Sequence, residues 1–187
     1  GTLSLIFRNR YKIEPLCIEI DENNIKYLKK RNFKFKVNLL DSSESADLIF
    51  SSNVLEHIKD DSQILEIFRD NLTENGNIYL YLPAKMILWT KLDTLVGHYR
   101  RYEISKLKNL CKKKGFEIIK IHYSDCLGFF ITLIWKFLNL FQNKTFPKKS
   151  ALIFYDKYIF PLSRFLDNIG IRYLIGKNIV LIAKKIT

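Results

Sequence analysis

The side chains best suited to chemistry follow an apolar run near the middle of the chain. Residues 46–50 read ADLIF, and residues 51–58 continue as SSNVLEHI. Such a run is typical of a buried parallel strand, and small polar residues at its carboxyl end are typical of the crevice where open α/β sheets bind ligands. His57 has an ordinary pKa close to neutrality, so it is the candidate general base there. Two alternatives remain. His57 could orient other groups, or Glu56 and His57 could simply lie in a solvated turn after the strand.

A second group of polar side chains lies in residues 92–102, which read LDTLVGHYRRY. The candidate binding residues are His98, Tyr99, Arg100 and Arg101. Guanidinium groups form paired hydrogen bonds with carboxylates and phosphates, so the segment predicts a binding surface for an acidic ligand. The alternative is a lid whose arginines pair with acids of the protein's own core.

Strands that alternate with helices must position both groups. Asp21 is predicted to cap one helix and Asp60 or Asp61 another, because a carboxylate accepts hydrogen bonds from the free N–H groups of a first turn. The alternation predicts an α/β fold with a mainly parallel sheet and helices on both faces. The predicted strands are residues 15–20, 35–39, 46–51, 77–82, 116–121 and 178–183.

Residues 46–58 resemble the signature of class I S-adenosylmethionine-dependent methyltransferases, in which an acid and an apolar run precede Val-Leu-Glu-His. The resemblance implies a Rossmann-like methyltransferase sheet that an antiparallel pair of strands completes. It also implies S-adenosyl-L-methionine as the cofactor. Because methyl transfer from a sulfonium needs neither a metal nor a covalent enzyme intermediate, we expect no metal site.

The same resemblance assigns residues to the cofactor. Glu19 matches the acid that holds the ribose hydroxyls, although Asp21 is an alternative. Asp41 matches the position that contacts adenine, with an Asx turn as the competing role. Ser52 and Asn53 are expected to lie under the methionine part of the cofactor.

The family's glycine-rich loop, which lets the cofactor approach the backbone closely, has no counterpart in this sequence. Gly1 resembles the last glycine of that loop. We therefore expect the sequence to be N-terminally incomplete, without the first strand. The alternative is that Gly1 lies outside the family match, which would then begin near residue 15.

A narrower resemblance involves residues 92–102 together with Gly115, Phe116 and residues 176–180. These residues resemble a bacterial methyltransferase subgroup that carries a Gly-His-Tyr-Arg-Arg-Tyr segment. Its members commonly accompany enzymes of cell-surface glycan synthesis, which implies a small or glycan-related acceptor. A non-catalytic, membrane-associated module derived from the same fold is the alternative.

The charge of the chain is unevenly distributed. Residues 1–98 carry 13 Lys and Arg against 14 Asp and Glu, whereas residues 99–187 carry 18 against 5. The basic half permits an anionic partner, but nucleic acid is disfavoured because no Asn-Pro-Pro-Tyr-type motif is present. The three cysteines lie far apart, which argues against a cysteine zinc site or a disulfide framework and favours a cytoplasmic protein.

Residues 127–141 form an unusually apolar stretch that is too short for a comfortable membrane span, which needs about 20 residues. A helical cap over the acceptor site, an interfacial contact with the inner face of a membrane, and a dimer surface are the three interpretations. The expected division is a methyltransferase core over residues 1–125, a helical addition over 126–176 and the last core strand over 177–187.

Overall fold

The computed structural model describes residues 2–37, 45–142 and 149–186. Two compact units are present, Gly1–Ser45 and Ala46–Thr187. Each unit contains helices and its own sheet, and the fold class is the Rossmann-like methyltransferase fold that the sequence predicts.

The first unit is a small parallel β-α-β arrangement preceded by a helix. Helix α1 (Thr2–Tyr11) leads to strand β1 (Cys17–Ile18), helix α2 (Glu22–Lys30) and strand β2 (Phe35–Lys36), and the two strands pair in parallel. Asp21 caps α2 as predicted, because its carboxylate accepts hydrogen bonds from the N–H groups of Asn23 and Asn24 at 2.9 and 3.0 Å.

Arg8 of α1 ties this unit together. Its guanidinium Nη1 donates to the carbonyl of Arg31 at 2.7 Å, and its Nε donates to the Glu14 carboxylate at 2.7 Å. The guanidinium carbon also lies 3.6 Å from the centre of the buried Phe33 ring, a cation–π arrangement. The short strands of this unit therefore depend on side-chain contacts as well as on two parallel backbone pairs.

The second unit is built on a four-stranded sheet. Its strands are β3 (Ala46–Ser52), β4 (Leu72–Pro83), β5 (Phe116–Ser124) and β6 (Asn178–Lys185), in the order β3-β4-β6-β5. Strand β3 pairs with β4 in parallel, and β6 pairs antiparallel with both β4 and β5. The predicted closing antiparallel pair is therefore present, with β6 inserted beside β4 and β5 at the edge.

Strand β4 begins earlier than its sequence indicates. Ala46 pairs with Leu72, but Leu48 pairs with Asn77, so the extra residues of β4 bulge out of the ladder. Asn75 in this bulge has a φ of 65°, a left-handed conformation that Asn tolerates better than most residues. Residues 74–76, which include the turn-forming pair Asn75 and Gly76, therefore lie inside the strand's range.

Two amphipathic helices cover the sheet. Helix α3 (Asp61–Asp70) begins at Asp60, whose carboxylate accepts from the N–H of Gln63 at 3.0 Å, and it buries Leu65 and Phe68. Helix α5 (Ile104–Lys113) buries its own apolar residues against β5. Both helices follow the apolar spacing of the sequence, because a stripe at helical period must face the sheet.

The segment between β4 and α5 is ordered by a bridge between Ala84 and Tyr102. A 3-10 turn (Met86–Leu88) and helix α4 (Lys91–Leu95) lie within it. Between β5 and β6 the chain forms helix α6 (Cys126–Gln142), helix α7 (Lys149–Phe154), a π-helical turn (Tyr155–Ile159) and helix α8 (Phe160–Asn168).

Helix α6 confirms that the apolar stretch is helical, but much of its apolar surface is exposed. Phe129 is buried, whereas Ile134 and Phe137 are 58% and 59% exposed. Helix α8 adds the exposed Leu162 and Phe165. Within the described ranges, no helix combines the length and hydrophobicity that crossing a membrane requires.

Candidate active site

The carboxyl end of β3 releases the chain from the sheet through three polar residues. Ser51 is buried, Ser52 is half-buried and Asn53 is exposed. Asn53 has a φ of 51°, and its N–H donates to the carbonyl of Tyr81 on β4 at 2.9 Å. This left-handed residue ends the strand sharply, so the next residues turn back across the end of the sheet.

The turn that follows points neighbouring side chains in opposite directions. Residues Leu55–His57 form a 3-10 turn in which Leu55 and Glu56 are completely buried, while His57 is exposed. The imidazole predicted as a general base is therefore accessible at the strand end. Glu56, which would face solvent if the residues after the strand formed a solvated turn, is buried.

The carboxylate of Glu56 is an unusual buried group. No other described residue donates a hydrogen bond to either of its oxygens. Burial raises the pKa of Glu56 to about 7, against the opposing attraction of the Arg101 guanidinium. His98 is an ionisable neighbour of this carboxylate, and its Nε2 lies 3.9 Å from Glu56 Oε1.

His98 is oriented by the buried Asp93 of α4. The Nδ1 of His98 lies 2.9 Å from Asp93 Oδ1, within hydrogen-bonding distance. The His98 and His57 rings meet edge to face with their centres 4.5 Å apart. Two imidazoles and one buried carboxylate, those of His57, His98 and Glu56, thus converge at the carboxyl end of β3.

Asp93 itself has several donors, which explains how a buried carboxylate is tolerated. Arg101 donates from Nε and Nη2 to its two oxygens at 2.8 and 3.1 Å, and Thr90 donates from N–H and hydroxyl at 2.8 and 3.0 Å. Burial alone would raise the pKa of Asp93, but the hydrogen bonds and positive charge of Arg101, together with hydrogen bonds from Thr90 and His98, jointly outweigh it and hold that pKa below its ordinary value. Thr90 and Asp93 form a capping box at α4.

Arg100 is directed to a different acid. Its Nη1 lies 3.0 Å from Asp61 Oδ2 and donates to the carbonyl of Ile58 at 2.9 Å. Tyr102 donates its hydroxyl to the same Asp61 oxygen at 2.9 Å. Tyr99 is held through its backbone, because its N–H donates to the carbonyl of Glu56 at 2.7 Å. Tyr99 itself is 56% exposed.

These contacts bear on the two interpretations of the 98–101 residues. Both guanidinium groups pair with acids of the protein, as the lid interpretation anticipated. The exposed Tyr99 ring and the partly exposed Arg100 remain accessible beside the His57 and His98 pair. Binding of an acidic acceptor by this segment stays a prediction.

The residues assigned to the cofactor fall in different parts of the chain. Glu19, in the first unit, accepts hydrogen bonds from the N–H groups of Ile20 and Asp21 through one oxygen, each at 2.9 Å. Ser52 and Asn53 lie at the end of β3. Gly1 and Asp41 lie outside the described residues.

Sequence reasoning missed Asp93 and the inward direction of Glu56. The spacing of Thr90 and Asp93 matches a capping box and was the available signal for the first. No comparable signal existed for Glu56, because the path of the turn after β3 decides which neighbour faces inward.

A further polar cluster was also missed, at the start of α6. Asp125 accepts a hydrogen bond from the N–H of Gly128 at 3.0 Å and a short one from the hydroxyl of Tyr155. Asp167 of α8 accepts from the N–H of Asp125 at 2.7 Å. This cluster joins α6 to the helices that precede β6.

Comparison with known proteins places these features in a family. Residues 1–121 match a family model described as a methyltransferase domain. No curated protein shows a significant match to the chain.

Solved structures share the fold at low sequence identity. A SAM-dependent methyltransferase from Archaeoglobus fulgidus superposes with a TM-score of 0.61 at 16% identity, over 97% of this chain and 80% of that one. Mycolic acid cyclopropane synthase, complexed with SAH, gives 0.64 at 13% identity, over 99% and 74%. Haemonchus contortus phosphoethanolamine N-methyltransferase 2, in complex with S-adenosyl-L-methionine, gives 0.59 at 14%, over 100% and 46%.

The family match spans well over half of the chain, and it gives no support to the alternative of a non-catalytic module. The sheet order, the polar carboxyl end of β3 and the family model agree. This chain therefore belongs to the methyltransferase domain family, within the class I methyltransferases whose cofactor is S-adenosyl-L-methionine.

Proposed function

We propose that this protein transfers a methyl group from S-adenosyl-L-methionine to a small, acidic acceptor related to cell-surface glycans. The observation that carries the proposal is the family match combined with the exposed imidazole of His57 at the carboxyl end of β3. Open α/β sheets bind their ligands at this end of the strands. A methyltransferase must hold the cofactor and bring the acceptor nucleophile into line with its methyl carbon.

For the cofactor, we assign the ribose hydroxyls to Glu19. One carboxylate can accept hydrogen bonds from both hydroxyls of a diol, and the two N–H groups that hold Glu19 Oε1 fix its direction. We assign the methionine part to Ser52 and Asn53 on the basis of their position at the end of β3. Asp21 is already engaged as the cap of α2, which favours Glu19 over it for the ribose.

For the acceptor, we assign His57, His98, Tyr99 and Arg100. His57 is exposed, and the ring of Tyr99 is 56% exposed with the Arg100 guanidinium carbon 5.9 Å from its centre. An aromatic face beside a cationic group suits a sugar that carries a carboxylate or phosphate. Arg101, which is committed to Asp93 through two hydrogen bonds, contributes by shaping the segment.

A lipid-linked acceptor would also account for the exposed apolar surface of α6 and α8. Four of its large side chains, Ile134, Phe137, Leu162 and Phe165, are each more than half exposed. The basic excess of residues 99–187 would favour an anionic membrane surface. We propose peripheral membrane contact through this face.

Transfer of labelled methyl groups from S-adenosyl-L-methionine tests the proposal. Sugar phosphates and uronic acids are compared with the matching neutral sugars as acceptors. We expect turnover of the acidic sugars, with KM raised roughly tenfold or more in Arg100→Gln, as for the loss of a charge-assisted hydrogen bond. Arg164→Gln, at an exposed arginine of α8, is the matched control. Equal turnover of neutral sugars, or an unchanged KM in Arg100→Gln, would show that Arg100 does not bind the acceptor and serves only to hold the lid.

A further inference from the structure

A neutral His98 and an ionised Glu56 face each other with two hydrogen-bond acceptors, an arrangement that a bound cation would satisfy. Because Asp93 accepts the Nδ1 hydrogen bond of His98, a neutral His98 carries its proton on Nδ1 and presents a lone pair at Nε2. The nearest atom across from that lone pair is Glu56 Oε1, which is also an acceptor, at 3.9 Å. This separation is too long for a hydrogen bond that shares one proton.

The Arg101 guanidinium attracts the Glu56 carboxylate, but it donates hydrogen bonds to the two oxygens of Asp93 and none to Glu56. Glu56 is completely buried, and neither of its oxygens receives a hydrogen bond from another described residue. A buried, unpaired carboxylate is costly unless it is protonated or coordinates a cation.

His57 adds a third possible metal ligand beside Glu56 and His98. Its ring contributes a third ligand atom, and the three atoms from Glu56, His57 and His98 all lie within 4.8 Å of one another. A tetrahedral zinc ion places neighbouring ligand atoms roughly 3.4 Å apart, so modest side-chain shifts close the set. Two histidines and one carboxylate are an open three-ligand set that leaves a coordination position free.

In contrast to the sequence-based expectation of no metal site, we propose that Glu56, His57 and His98 form a binding site for a divalent transition-metal ion, with zinc as the probe ion. Asp93 is the positioning residue, because a carboxylate behind a ligating imidazole fixes its tautomer and direction. Because His57 is exposed, an acceptor oxygen could reach an ion held by these three residues and would take the position that they leave free. This placement rests on the proposed function, whereas metal binding itself does not.

Tag-free protein is loaded with zinc, dialysed and analysed for metal content, and a cobalt-loaded sample is examined by visible absorption. We expect one zinc per chain and a cobalt spectrum without a thiolate band, since the three ligands are nitrogen and oxygen donors. His57→Gln, His98→Gln and Glu56→Gln should each bind zinc at least tenfold more weakly. Asp93→Asn should bind about 10–100-fold more weakly, as for loss of an outer-shell partner.

Two controls separate this site from others. His122→Gln removes a histidine of β5, and Cys17→Ser removes a half-buried thiol of the first unit, so both should bind zinc as the wild type does. His57 is exposed, so His57→Gln decides the matter even if the buried variants fail to fold. Wild-type protein that takes up no more zinc than His57→Gln would overturn the proposal.

Turnover measured with a chelator distinguishes the two proposals. Zinc binding at these residues without methylation of any acceptor would support the metal site and overturn the proposed function. Methylation that is equally fast with and without zinc, by a protein that binds no zinc, would support the function and overturn the metal site.

Discussion

Asp93 shows how one side chain can organise a whole segment. It lies in a short helix, is 2% exposed and receives hydrogen bonds from Thr90 and Arg101, with His98 also within bonding distance. Each of these partners comes from a different point of residues 84–102. The direction of the His98 imidazole and the course of the segment over the end of β3 therefore depend on the same carboxylate.

Arg101 and Arg100 should differ in their effects on stability. Arg101→Ala leaves a buried carboxylate with fewer donors and should lower the free energy of unfolding by about 3 kcal/mol. Arg100→Ala, whose partner Asp61 is more exposed, should cost about 1 kcal/mol or less. Urea denaturation of both variants measures the difference. Equal losses would show that the Asp93 pair has no special role.

His122 should make stability depend on pH. Burial lowers the pKa of His122 below its ordinary value, and its Nδ1 donates to the carbonyl of Tyr123 at 2.6 Å. Because the unfolded chain binds a proton more readily, this term is fully present above pH about 6.5 and is lost as the pH falls through the folded-state pKa.

The test compares wild-type protein with His122→Gln in urea at several pH values. As the pH falls from about 6.5 through the folded-state pKa of His122, we expect the free energy of unfolding to decrease less in the variant than in the wild type. An identical slope in the two proteins would show that His122 is not the group responsible.

At the scale of helices and strands, the start of α6 is a closely packed junction. A Cβ added to Gly128 would lie 2.0 Å from Asp125 Oδ2 and 2.3 Å from the Tyr155 hydroxyl. The absence of a side chain therefore allows the Asp125 and Tyr155 pair to sit directly on the helix. This contact holds α6 against the π-helical turn at residues 155–159.

Gly128→Ala should destabilise the protein despite the better helix propensity of alanine. The methyl group must displace Asp125 or Tyr155, and overpacking of this kind costs about 1–3 kcal/mol. Thr132→Ala, one turn further along α6, is the matched control and should be nearly neutral. Thermal unfolding measures both, and a Gly128→Ala variant as stable as the control would contradict the packing described here.

The sequence predicted some elements well because their signals are local. Leu65 and Phe68 lie on one helical stripe, and Asp21 caps its helix through its immediate neighbours. The extension of β4 to Leu72 depends instead on pairing with Ala46, which no short window contains.

The burial of Glu56 depends on the turn after β3, and that of Asp93 on the long path from Thr90 to Arg101. Site geometry was therefore less predictable than the fold.

At the scale of the whole molecule, the exposed apolar face and the basic half should act together at a membrane. We expect flotation with anionic liposomes at low salt and weaker flotation at high salt, because salt screens the surface charges. Replacing Ile134 and Phe137 by Ser should reduce flotation, whereas Ile119→Ser, at an exposed position of β5, should not. Absence of binding at low salt would leave a cap or a dimer surface as the role of this face.

The proposed activity depends on binding of S-adenosyl-L-methionine through the acid that follows β1. Calorimetric titration of the full-length protein with this cofactor, for wild type, Glu19→Ala and the matched control Glu22→Ala, measures that binding. We predict that wild type and Glu22→Ala bind alike and that Glu19→Ala loses about 1–3 kcal/mol of binding free energy, as for unmade charge-assisted hydrogen bonds. No binding by the wild type, or an unchanged affinity in Glu19→Ala, would show that Glu19 does not hold the cofactor in this way.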